Sequence, residues 1–215
     1  MNGQPDERIP VLRALIERGP FYRALSARAA LIAGLLSSVT ATAIYLNNEG
    51  TVSLGRVLRP REFVVLWLIT FVIAADAAAL VFWRVARREG RPFFSPELRL
   101  VIRTMLPCLL IPAAFTSWYY NTGYLGAREL ELVAVWMASY GLALLSLSAF
   151  APPALGRLGL AFLGTTVAVP AAMNVIDFNF SFDLPNALMG FTFGLYHLVY
   201  AACTWRRPAV LLQAT

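Results

Sequence analysis

The chain contains no lysine; all eighteen of its basic residues are arginine. This excludes retinal-type and pyridoxal-type Schiff-base chemistry, which needs a lysine amine. Histidine is almost as scarce. The single His197 cannot supply bis-histidine ligation of a haem, nor a histidine-rich zinc site. The two cysteines, Cys108 and Cys203, both fall in apolar runs and make neither a CxxC motif nor a disulfide framework. They read as small apolar packing residues. HExxH, P-loop and GxSxG motifs are missing, and no two acids pair on one helix. The expectation is a non-catalytic protein with no metal and no cofactor.

Charge is also sparse. Charged residues make up 14% of the 215 and hydrophobic ones 59%, whereas a soluble domain carries about 25% charged residues. Mean hydropathy is +0.64. The net charge of +6 does not come from a basic patch interleaved with aromatics on a soluble surface, so it does not point to nucleic acid. The arginines flank hydrophobic runs, where they orient a protein in a bilayer.

What is present is a series of six apolar runs, at about 29–46, 63–83, 98–119, 132–150, 158–176 and 187–205. Each is close to the roughly 20 residues that cross the hydrocarbon. The expected fold class is therefore all-α: a polytopic membrane protein with six transmembrane helices. Residues 1–28 mix arginines with Ile9, Leu12, Leu15, Phe21 and Leu25, and Gly19-Pro20 interrupts them. They read as an amphipathic interfacial segment of two short helices on an anionic membrane surface. Residues 29–205 form the bundle and 206–215 a short cytoplasmic tail. With both termini in the cytoplasm, thirteen arginines fall inside, Arg99 at the start of the third run included, and four outside, with Arg103 left out as lying within a span. This bias sets the expected orientation. Arginine-only usage and small size suggest a bacterial cytoplasmic membrane.

Against this apolar background a few polar residues stand out. Asp76 lies inside the second run among Ala74, Ala75, Ala77, Ala78 and Ala79, and an ionisable group at membrane depth marks a candidate site. In the sixth run Gly190, Gly194, His197 and Ala201 recur at α-helical spacing, which predicts one small-residue face packed on a neighbouring helix. His197 lies within about 3 Å of the depth of Asp76, so the two could pair. Arg103, near the inner end of the third span, is a rival partner for Asp76 at similar depth. Tyr140, Tyr196 and Tyr200 offer hydroxyl partners to the same intramembrane group. Pro107 and Pro112 should kink the third span, which ends in an interfacial Trp118-Tyr119-Tyr120 belt.

The loop from Asp177 to Asp183 alternates polar residues with Phe178, Phe180 and Phe182. Its oxygens sit at calcium-loop positions, but phenylalanine replaces the required glycine and leucine the closing glutamate, so an EF-hand is rejected. The three phenylalanines read as a membrane-interface or partner-docking loop. Two functions follow. The first is an accessory or regulatory subunit that binds a membrane partner or a second copy of itself. The second is a small transporter or proton pathway through Asp76 and His197.

Overall fold

The computed structural model describes residues 19–48, 58–88, 96–122, 128–148, 153–175 and 183–205, together with 90, 92 and 94. Among these residues there is no strand, and six helices are long and apolar enough to cross a membrane. They are α1 (Gly19–Asn48), α2 (Pro60–Arg88), α3 (Pro96–Thr122), α4 (Glu129–Ser148), α5 (Pro153–Val175) and α6 (Leu184–Trp205). The protein is an all-helical, multi-pass membrane protein. The end of the bundle carrying Arg61, Tyr120 and Asp183 is called the outer end below, following the arginine bias.

Prolines mark where most of these helices begin. Pro60, Pro96 and Pro153 open α2, α3 and α5, while Pro20 and Pro185 are the second residues of α1 and α6. The first-turn N–H groups have no intrahelical acceptor, so proline loses nothing there and its fixed φ suits the helix. The proline-free start, α4, carries Glu129 and Glu131 in its first turn, where the helix dipole favours negative charge. On α2, Glu62 accepts the Arg59 N–H at 2.9 Å and returns its own N–H to the Arg59 carbonyl.

The same physics corrects two expectations. Gly19-Pro20 are the first two residues of a described helix, so residues 19–28 are the first turns of α1. At 30 residues α1 is about 45 Å long, enough to cross the bilayer and project beyond it. The remainder of the expected interfacial segment, residues 1–18, lies outside the described residues, as does the tail 206–215. Arg157, which the expected bounds of the fifth run (158–176) leave in the preceding turn, sits on α5 because that helix begins at Pro153. A third expectation changes form: α3 continues as one helix across Pro107 and Pro112. The two prolines leave the carbonyls of Arg103 and Cys108 without their usual donors. Thr116 donates its hydroxyl to the Pro112 carbonyl at 2.6 Å.

The bundle has two halves. In one, α1 lies between α2 and α6; in the other, α4 lies between α3 and α5. Helix α6 joins them, meeting α4 and α5 across from α1. The core includes Phe63, Val64, Trp67, Leu132, Val133, Met137 and Phe162. Single polar contacts tie neighbouring helices. Thr40 and Thr70 share a bond of 2.8 Å between α1 and α2, and the Trp136 indole donates to Thr116 at 2.9 Å between α4 and α3. Close crossings rely on glycine. A Cβ on Gly159 would fall 2.8 Å from the Gly141 carbonyl, and one on Gly141 would fall 3.0 Å from that of Gly159.

Helices α2 and α3, consecutive in the chain, are peripheral and share no extended contact. At the outer end, however, the Arg61 guanidinium lies 5.2 Å from the centre of the Tyr120 ring. This contact sets the outer ends of the two helices at neighbouring levels.

Candidate functional site

The intramembrane polar residues divide into a buried group and an exposed pair. The buried group is built where α6 crosses α4 and α5. The Tyr140 hydroxyl on α4 lies 2.8 Å from His197 Nε2 on α6. His197 is 4% exposed, so its end of the bond is closed off from lipid and solvent, while Tyr140 is half-buried. Its second nitrogen, Nδ1, is buried beside the main chain of Thr192 and Phe193 and makes no hydrogen bond of good geometry. Aromatic rings enclose the pair. Phe162 is fully buried and packs at 5.0 Å from both Tyr140 and Phe193. Phe193 stacks on His197 with 13° between the rings. One turn away the Tyr196 and Thr165 hydroxyls meet at 2.7 Å. Tyr200 is buried nearby.

A π-helical stretch, Gly190–Tyr196, explains how His197 reaches Tyr140. With α-helical spacing His197 would share a face with Gly190 and Gly194, as expected from the sequence. A π turn accommodates one residue more than an α turn, and one residue corresponds to about 100° of rotation. The shared face is thereby split. Gly190 and Gly194 point at α1, where an added Cβ would lie 2.7 Å from Ala41 Cβ and 2.7 Å from Ser38 Oγ respectively. His197 points at α4. Gly190 and Gly194 thus lie on the α1 side of α6, and His197 does not share their face.

The cleft lined by Arg157, Leu158, Ala161, Tyr196, Tyr200 and Cys203 has a volume of about 440 Å³. It lies between α5 and α6 toward their inner ends and does not include Tyr140 or His197. The buried histidine therefore sits in a packed aromatic setting outside this cleft.

Asp76 lies elsewhere. On α2 the buried side runs through Phe63, Trp67 and Thr70, and the α-helical period carries it on through the half-buried Ala74, Ala77 and Val81. Asp76 falls roughly opposite and is exposed, flanked by exposed Val72, Ile73, Ala79 and Leu80. The structure does not bring it to His197. Arg103 is exposed too, on the side of α3 away from Thr116 and Tyr119. The two charges make no ion pair or hydrogen bond among the described residues. A charged residue at the centre of a spanning helix costs about 3 kcal/mol on insertion scales, so an outward-facing acid at this depth calls for a partner.

The sequence singled out Asp76, Arg103, Tyr140 and His197 and offered His197 both Asp76 and tyrosine hydroxyls; the structure joins it to Tyr140 and not to Asp76, because burial side depends on neighbours that one helix cannot reveal. Sequence reasoning missed Phe162 and Thr165. Both look like ordinary span residues, and only the crossing of α5 with α6 gives them roles. Gly141 and Gly159 were missed as well, although glycine inside an apolar run is itself a signal for close crossing. Phe178, Phe180 and Phe182 lie outside the described residues. Among the described residues no cluster of three or more His, Cys, Asp or Glu could hold a metal ion. Comparisons of the chain with protein-family models, curated proteins and solved structures return no match.

Proposed function

We propose that this integral membrane protein is non-catalytic and works by docking a membrane polypeptide against α2 and α3, as an accessory or regulatory subunit. The observation carrying this reading is the outward-facing Asp76. Exposed leucines and valines on a spanning helix are explained by lipid, but a carboxyl at bilayer depth is not. Peripheral placement leaves each of the two helices with an outward side that no other described helix covers. The transport reading loses its main support, since its two named residues occupy different faces of the bundle and the cleft described above includes neither.

The test is the mass of the assembly extracted directly into polymer-bounded native nanodiscs. The wild-type chain should run above its own 23.6 kDa by at least one further polypeptide, and Asp76→Leu should run as a single chain with its thermal midpoint preserved. A wild-type particle holding one chain, or an Asp76→Leu particle of wild-type mass, overturns the reading.

A further inference from the structure

We propose that the polypeptide docked on α2 and α3 is a second copy of this chain, held by two reciprocal Asp76–Arg103 ion pairs about a two-fold axis along the membrane normal. The inference rests on the docking reading above and names its partner.

Depth is the first support. The Arg61–Tyr120 contact sets the outer ends of α2 and α3 at neighbouring levels, within the reach of an arginine side chain. Asp76 lies fifteen residues along α2 from Arg61, and Arg103 seventeen residues along α3 from Tyr120. At 1.5 Å per residue these are depths of about 23 Å and about 26 Å, a difference of about 3 Å. A guanidinium on its flexible stem spans that difference.

Symmetry is the second. Copies of one chain share a single orientation in the membrane, so a two-fold axis relating them must run along the normal. Such an axis leaves every residue at its own depth. In a two-fold contact residue i meets j while j meets i, so two different residues can pair this way only if their depths agree. Asp76 and Arg103 meet this condition, and their charges are opposite. A contact centred on Asp76 alone would instead bring two carboxyls together. The reciprocal arrangement covers both exposed charges of both copies, leaving none of the four facing lipid.

Surface shape is the third. Asp76 shares its outward face with Ile69, Val72, Ile73, Ala79, Leu80 and Trp83, all exposed. Arg103 is accompanied by exposed Ile102, Leu106 and Leu110. Both charges are therefore bordered by apolar side chains, and Ala79 beside Asp76 permits close backbone approach.

The test uses the full chain with Cys108→Ser and Cys203→Ser. Two differently tagged versions, one carrying Asp76→Cys and the other Arg103→Cys, are co-expressed and treated in the membrane with a short bis-maleimide. The second ion pair of the dimer, Arg103 of the first version with Asp76 of the second, stays intact. The expected product is a cross-linked species carrying both tags, at least tenfold above the yield from two Asp76→Cys versions. In parallel, Asp76→Arg and Arg103→Asp should each lower the dimer fraction at least tenfold, and the combined swap should restore it. If no cross-linked species carrying both tags rises above the yield from two Asp76→Cys versions, or the swap restores nothing, the proposal is overturned. If the wild-type particle then holds a different polypeptide, the docking reading survives without this partner. If it holds a single chain, both fall.

Discussion

Tyr140 and His197 show how a hydrogen bond is valued inside a membrane bundle. Interhelical bonds in membranes have a modest net worth, about 0.6 kcal/mol on average. Leaving a buried acceptor or donor without its partner costs about 1–3 kcal/mol. The second effect should dominate here, because aromatic rings close off His197 from any substitute. Tyr140→Phe should therefore lower stability by about 1–2 kcal/mol, read as a fall in the thermal midpoint in detergent. Combining it with His197→Phe should cost less than the sum of the two single changes. Strict additivity would mean that the 2.8 Å contact carries no energy. The sequence identified both residues and the need for hydroxyl partners. It did not reveal that they meet, since residues 57 apart are joined only by the path of three helices.

Between helices, glycine acts by letting backbones approach. Gly190 faces Ala41 Cβ, which is fixed to its backbone and cannot turn aside, whereas Gly194 faces the Ser38 hydroxyl, which can. An alanine replacing glycine also gains about 1 kcal/mol of helix propensity. Gly190→Ala should thus be destabilising, and Ala41→Gly should restore it, while Gly194→Ala should lie near wild type. Thermal midpoints of the three variants decide this; equal losses at the two glycines would contradict the packing described here. At this scale much was legible. The helix starts are written in proline, and the tight α1–α6 crossing in glycine. The π-helical turn was not, because nothing in Gly190–Tyr196 distinguishes it from α-helix by composition. It lets one helix present different faces to α1 and α4.

For the whole molecule, six spans were legible because bilayer thickness sets a length that composition must meet. Which helices end up peripheral was not, since α2 has the highest hydropathy of the six and yet packs chiefly on α1. The orientation proposed from the arginine bias can be tested directly. On a background lacking Cys108 and Cys203, a cysteine at Arg128 should react with a membrane-impermeant maleimide added outside intact cells. One at Arg88 should react only after lysis, and the reverse pattern would invert the topology. The π turn of α6 also has a consequence for reading other sequences beside this one. It makes the count of residues between Gly190 and His197 as informative as their identity. A chain keeping both, but one residue shorter between them, would aim its imidazole at α4 with no π turn, whereas one of the present length that stayed α-helical throughout would aim it at the seam with α1. The link from one half of the bundle to the other would then have to be made by something other than histidine.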